Sequence, residues 1–213
     1  MTSTPDPVGG IVLTGGSGVR LGGADKAGVE VGGGTLLEHA LDALAGTDEV
    51  VVVGPPVATS RPVTFRREDP PGGGPAAGVL AGLCGFVRRP RLVVVLAVDM
   101  PLVTRATVGR LLSAATGDGS ILVDPGGRRQ YLCAAYSPDA LERQRRGVAA
   151  GGEDQTGHGL PMRRLVAGLA LAEVPAVGDE AVDVDTRADL KLVRETGSCR
   201  GLHHRDGGPR LDP

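Results

Sequence analysis

"GGIVLTGGSGVRLGGADK", residues 9–26, divides into two parts of opposite character. Ile11, Val12 and Leu13 belong to a short, wholly apolar run cut off by glycine, the pattern of a strand buried on both faces. Gly15, Gly16, Gly18, Gly22 and Gly23 then leave almost no side-chain bulk before Asp25 and Lys26. A glycine loop therefore begins where a buried first strand ends.

The same alternation continues downstream. Thr35 and Glu38 have capping-box spacing, Leu37, Ala40, Leu41 and Leu44 recur at helical period, and Gly46 stands where a helix stops. "EVVVVG" is a second buried strand, "VTFRRE" a third, and "PAAGVLAGLCGFV" a helix opened by Pro75 with Val79, Leu80 and Leu83 on one face. "RLVVVLAVDMP" is the strongest strand. A helix from Thr104 as N-cap follows, and then strand-like "SILVD" and "YLCAAY". Beyond Tyr136 the pattern predicts a helix over 138–146, a polar loop "GGEDQTGHG", a helix from Pro161, a strand "LALAEV", and Thr186 as a further N-cap. Strand and helix in repetition predict a single-domain, three-layer α/β/α fold with a mostly parallel, Rossmann-like sheet over residues 8–196. The loops after the parallel strands gather at one edge, where ligands bind. Residues 197–213 have too little apolar surface to offset ordering entropy and are expected to form a disordered tail.

Composition narrows the function. The 213 residues are 41% hydrophobic but only 2% aromatic, so the core must be built from Val, Leu and Ala. A net charge of −2, no Trp and two Phe supply neither a basic field nor stacking platforms for a polynucleotide. No apolar run is long enough to cross a bilayer and "MTSTPDP" lacks the features of a signal peptide, which predicts a cytoplasmic protein with no membrane partner. Cys84, Cys133 and Cys199 have no Cys-x-x-Cys spacing and are expected to be reduced thiols.

Main-chain amides left bare by glycine approach an anion closely because no Cβ intervenes. Two templates for such a loop fail. G-x-G-x-x-G is met at Gly16 and Gly18, but position 21 is Leu. The P-loop interval is met at Gly18 and Gly23, but Ala24 stands where lysine is required. What remains is a backbone cradle with Arg20 as a planar fork and Lys26 as a point charge, a combination suited to a nucleoside triphosphate. The competing reading is a surface turn with two solvated charges.

At this point the chain resembles the molybdenum cofactor guanylyltransferases, within the larger group of nucleotide-diphospho-sugar-transferase-like nucleotidyltransferases. The resemblance rests on "LTGGSGVRLGGADKA", which is similar to the family pattern L-A-G-G-x-S/A-x-R-M/L-G-x-D-K in varied spacing, and on "EDPPGGGPAAGVLAGL", "LAVDMP" and "VDVDT" in that order. It spans roughly residues 10–195. The resemblance implies guanylyl transfer from GTP to the terminal phosphate of molybdopterin with release of pyrophosphate. It also implies Mg²⁺ as cofactor and, as protein partners, molybdenum-cofactor biosynthesis or acceptor proteins. Related chemistry with another nucleotide or acceptor (cytidylyl transfer to molybdopterin, guanylyl transfer to phospholactate, activation of a sugar or polyol phosphate) and a catalytically silent nucleotide-binding module stand as alternatives. Gly-Gly after the first strand is the family habit for guanine.

By the resemblance, Leu13, Thr14, Gly15, Gly16, Ser17 and Gly18 contact the nucleotide, Arg20 stabilises departing pyrophosphate and Lys26 meets the α-phosphoryl oxygens. Asp99 ends an apolar run, where a carboxylate needs a cation. It reads either as a Mg²⁺ ligand, the family's position in "D-x-P", or as a cap on the turn before Pro101. Asp185 is placed as a further metal ligand, with Asp183 two residues away as the alternative. Asp69 matches a guanine-contacting position, since a carboxylate accepts both the ring N–H and the exocyclic amine of guanine; equally, it reads as an Asp opening a turn before proline. Gly54 aligns with a nucleotide-contacting position where the family often carries Asn, so only backbone contact is available there. Arg128, Arg129 and Gln130 occupy the place where relatives face the second substrate, with Tyr131 replacing a proline. Arg163 and Arg164 read as an anion contact or as a solvated helix face.

Overall fold

The computed structural model describes residues 6–15 and 26–184, together with Thr186 and Asp189. Of the expected features, Gly16, Ser17, Gly18, Arg20, Asp185 and the tail over 197–213 lie outside the described residues.

The apolar runs become strands as their lack of polar alternation predicts. The central sheet has the order β5-β4-β1-β6-β8, from β1 (Val8–Leu13), β4 (Glu49–Val53), β5 (Thr64–Arg66), β6 (Leu92–Ala97) and β8 (Arg129–Tyr136). β1 runs parallel to both β4 and β6, and β5 parallel to β4, whereas β8 is antiparallel to β6. β7 (Gly119–Val123) leads into β8 through a turn in which the Asp124 N–H donates to the Arg128 carbonyl at 3.0 Å. β9 (Leu171–Pro175) lies parallel to β7. A small antiparallel pair, β2 (Glu30–Val31) and β3 (Gly34–Thr35), was not legible in the sequence.

Successive residues of each strand face opposite sides of the sheet, and this parity sorts the core into two layers. Val12, Val50, Val52, Val94 and Leu96 meet α1 (Leu36–Ala43) and α3 (Arg105–Ala114). Ile11, Leu13, Val51, Val53, Val93 and Val95 meet α2 (Pro75–Leu83), α4 (Pro138–Ala150) and α5 (Met162–Leu165). Helices therefore cover both faces, as expected of parallel strands. Each fully buried Leu or Val contributes roughly 1.5–3 kcal/mol. α2 lies unusually close to β1 because it turns glycines towards the strand. A Cβ on Gly82 would meet Ile11 at 2.9 Å, and one on Gly78 would meet Leu13 at 3.2 Å.

Both expected N-caps over the first half form. The Thr35 hydroxyl accepts from the Glu38 N–H at 3.2 Å, but the box is not reciprocated, because the Glu38 carboxylate turns to the Ser60 N–H at 2.9 Å. Thr104 caps α3 with a complete box whose other member is Thr107. Thr186 and Asp189 exchange the same pair of bonds, with the Asp189 N–H donating to the Thr186 hydroxyl at 3.2 Å and the Thr186 N–H to the Asp189 carboxylate at 2.7 Å.

Among the described residues no helix is long and apolar enough to cross a membrane. Cys84 is exposed and Cys133 fully buried. Desolvation, with the Glu180 charge adding to it and Arg110 opposing it, pushes the Cys133 thiol up to about 12. Only the thiolate attacks electrophiles. A maleimide at pH 8 is thus expected to modify Cys84 in the native protein and to reach Cys133 only after unfolding. Peptide mass spectrometry reads the outcome, and early native labelling of Cys133 would contradict it.

Candidate functional site

The carboxyl ends of β1, β4 and β6 lie side by side, locked past the strand ends by Thr14 N–H to Val53 carbonyl at 3.1 Å and Val98 N–H to Leu13 carbonyl at 3.0 Å. Three loops therefore leave the sheet together. Two cavities open there, of about 280 and about 510 Å³, and they share Leu13, Gly15 and Pro75 as walls.

Lys26 and Asp99 face the smaller cavity and each other, with Nζ 2.9 Å from Oδ2. Their side chains are only 11% and 24% exposed, so solvent screens the pair far less than it screens a surface salt bridge. The chain holds each by burying its neighbours. Ala27, in the 3-10 turn Lys26–Gly28, packs into the core on the α1 side, and Asp99 sits between buried Val98 and Met100. Asp183 lines the same cavity, and the adjoining Val184 N–H donates to the Asp99 carbonyl at 2.8 Å. The residue expected to carry the second carboxylate, Asp185, lies outside the described residues, whereas Asp183 is present at the cavity beside Asp99.

Gly15 borders both cavities, and among the described residues nothing lies within 4 Å of a Cβ placed there. Pro75 opens α2 at the shared wall, preceded by Gly74 with no side-chain cap. The positive end of a nine-residue helix thus stands at the shared wall, and Lys26 lines the smaller cavity beside it.

Thr14 and Gly54 turn out to contact each other beneath this loop. The Thr14 hydroxyl is buried and donates to the Val53 carbonyl at 3.0 Å, and a Cβ on Gly54 would fall on that hydroxyl oxygen. The Gly54 N–H donates to the Arg66 carbonyl at 2.9 Å. Neither residue is among those lining the two cavities. Asp69 is exposed and likewise does not line them. Its neighbour Glu68 does, half-buried, with its carboxylate accepting the Gly72 N–H at 3.1 Å. Arg67 and Gly72 complete that wall. Sequence reasoning missed Arg67 and Glu68. The only signal was their position after a strand and before a glycine turn.

Arg128 to Leu132 and Met162 line the smaller cavity together with Lys26 and Asp99. Gln130 is buried and its amide donates to the Asp124 carboxylate at 3.2 Å, while Arg129 pairs with Glu173 at 2.7 Å. Arg163 and Arg164 do not reach either cavity, and Arg164 pairs with Glu153 at 3.2 Å. A third cavity of about 450 Å³ lies against α1, away from these groups. There Arg61 caps the Leu44 carbonyl at 2.9 Å and Arg105 pairs with Asp42 at 2.5 Å.

A mostly parallel sheet covered by helices on both faces, with two cavities at the carboxyl ends of its parallel strands, defines the class: a three-layer α/β protein of doubly wound type. Residues 10–168 match the MobA-like NTP transferase domain, and the chain belongs to that family. It is 33% identical to the molybdenum cofactor guanylyltransferase of Acidiphilium cryptum over 208 residues, covering 89% of this chain and 94% of the relative. Among solved structures, the molybdopterin-guanine dinucleotide biosynthesis protein A of Archaeoglobus fulgidus superposes with a TM-score of 0.68 at 23% identity, covering 90% of this chain and 99% of that one. The 2-C-methyl-D-erythritol 4-phosphate cytidylyltransferase of Thermus thermophilus does so with a TM-score of 0.63 at 23% identity, covering 88% and 98%. These two likenesses establish the fold.

Proposed function

We infer that the chain is a guanylyltransferase, moving GMP from GTP to the terminal phosphate of molybdopterin with release of pyrophosphate. The observation that carries this reading is the Lys26–Asp99 pair, 2.9 Å across, in the wall of the smaller of two adjoining cavities. One cavity suits a nucleotide and the other, walled by Arg128 to Leu132, an acceptor. The relatives' activity and the family membership support the same substrates.

In the reaction an oxygen of the acceptor phosphate attacks the α-phosphorus of GTP. A new P–O–P linkage forms, the bond from the α-phosphorus to the oxygen bridging to the β-phosphorus breaks, and pyrophosphate departs with that electron pair. A phosphate monoester is already anionic at neutral pH, so no protein base is needed, and catalysis consists of positioning and charge neutralisation. Gly15 presents main chain to the phosphates and the amino end of α2 adds its dipole. Lys26 moves from Asp99 to the α-phosphoryl oxygens as a mobile point charge. Arg20, from the loop outside the described residues, is assigned to the pyrophosphate. Glu68, in the wall of the larger cavity, and Asp69 beside it in the chain are the carboxylates assigned to the guanine.

Mg²⁺ fits the residues present. It needs one or two carboxylates and takes its remaining ligands from phosphate oxygens and water. Asp99 and Asp183 supply two carboxylates at one cavity, and no cluster of three or more His, Cys, Asp or Glu exists among the described residues to favour a metal held by protein alone. Asp99, with Asp183 or Asp185, would hold the ion, whose charge would offset the repulsion between the two reacting anions.

Pyrophosphate release from each of the four NTPs, with purified molybdopterin and Mg²⁺, tests the reading. Release from GTP alone, stopped by EDTA, is the expected result. Release from CTP instead would change the nucleotide, and no release from any NTP would favour a silent binding module.

A further inference from the structure

Glu180 is the one described acidic residue that is almost completely buried, at 4% exposure, yet it lines none of the three cavities above and belongs to no helix or strand. Both of its carboxylate oxygens are used. One accepts the Thr107 hydroxyl at 2.6 Å, and the other accepts the Arg110 guanidinium and the Val177 N–H at 2.7 Å. A buried ionised carboxylate is costly unless it is paired and fully hydrogen-bonded, and replacing such a cluster by apolar side chains is often neutral or stabilising. Stability alone is therefore a weak reason for its presence.

Its position in the chain suggests another. Thr107 belongs to the first turn of α3 and to the Thr104 cap, and five residues before Thr104 lies Asp99. The intervening Met100, Leu102 and Val103 are all buried, which makes this arm stiff. Three residues after Glu180 lies Asp183, and the next residue, fully buried Val184, donates its N–H to the Asp99 carbonyl at 2.8 Å. Two short arms, each carrying a cavity-lining carboxylate, are thus joined at both ends. One joint is the Glu180 clamp on Thr107 and Arg110, and the other is the Val184–Asp99 bond.

We propose that Glu180 is a positioning residue that fixes the separation of Asp99 and Asp183, and with it the affinity of the site for a divalent cation bound together with GTP. The proposal rests on the metal reading of those carboxylates given above. Groups behind a ligand set are worth on the order of 10- to 100-fold in metal affinity.

The test uses the full chain with GTP and Mn²⁺ as the paramagnetic probe, with no acceptor, so that neither turnover nor the acceptor's identity enters. Glu180→Gln keeps the volume and removes the charge. It is expected to weaken Mn²⁺ binding to the protein–GTP complex by about tenfold or more, while GTP binding without metal stays within about twofold. Thr107→Val, which removes the hydroxyl from the clamp, should shift Mn²⁺ binding in the same direction and keeps the test alive should the Glu180 variant not fold. Ser120→Ala is the control, since its hydroxyl makes a buried bond to the Leu111 carbonyl of the same helix at 2.6 Å. It should lower the melting temperature and leave the Mn²⁺ constant unchanged. Wild-type Mn²⁺ affinity in folded Glu180→Gln, or an equal loss in Ser120→Ala, overturns the proposal. A wild-type complex that binds no Mn²⁺ overturns the metal reading itself and the proposal with it.

Discussion

Lys26→Ala is expected to slow turnover by about 10²- to 10³-fold while changing GTP affinity by only a few-fold, the size of effect seen when one preorganised group is removed from developing charge. The asymmetry follows from the ground state. In the nucleotide-free protein Nζ already satisfies an anion, Asp99, at 2.9 Å. In the proposed reaction GTP exchanges that partner for a phosphate oxygen, so little net binding energy is gained. When the α-phosphorus is attacked, negative charge on its non-bridging oxygens must be met within a cavity wall where the lysine is only 11% exposed and poorly replaced by water. The fold should survive, because the turn is anchored by buried Ala27 and not by the lysine. Single-turnover rates, GTP dissociation constants and thermal melts of the variant check each part. A cycle with Asp99→Asn should be strongly non-additive, because the two side chains touch at 2.9 Å and the proposed reaction assigns both to one phosphoryl group. Unchanged single-turnover rates would remove Lys26 from the chemistry.

The fold was legible wherever a signal was local. The runs at Ile11–Leu13, Val50–Val53 and Leu92–Ala97 have no polar alternation, and only strands covered on both faces tolerate that. The caps at Thr35 and Thr104 were visible because a short hydroxyl before an apolar-periodic run has few other uses. The parallel direction of β1, β4, β5 and β6 followed from the strand–helix alternation, but the reversed direction of β8 was not legible. "YLCAAY" reads the same whether it lies parallel or antiparallel to β6, and the difference lies in the tight turn after Asp124. At the site, Lys26 and Asp99 could be paired in advance because both follow strands whose ends the topology aligns. Arg67 and Glu68 could not, since their approach depends on how closely α2 sits on β1, which Gly78 and Gly82 determine at long range. Glu180 was hidden for a different reason. An acid in a loop between other acids looks solvated until Thr107 and Arg110, 73 and 70 residues away, are seen beside it.

Thr14 and Gly54 offer the sharpest test of how this chain departs from its relatives. The resembling pattern has alanine in place of Thr14 and often asparagine in place of Gly54, and here the two departures occupy one space. The Thr14 hydroxyl fills the position of a Gly54 Cβ and bonds the Val53 carbonyl at 3.0 Å. The φ of Gly54, 159°, lies at the margin of the extended region, so its main constraint is room. Gly54→Asn alone is expected to destabilise the protein by roughly 2–4 kcal/mol, the cost of forcing atoms into a packed interior. Thr14→Ala alone should cost about 1 kcal/mol, since one buried hydrogen bond is lost while the Val53 carbonyl keeps the Thr14 main-chain N–H at 3.1 Å. Combined, the changes should be less harmful than Gly54→Asn by itself, with a coupling of about 1–2 kcal/mol in urea unfolding. The rescue is partial, because the Cβ at position 14 still lies 3.2 Å from the new one. Strictly additive free energies would show that the two positions are independent, and the coincidence of their departures would then have no basis in packing.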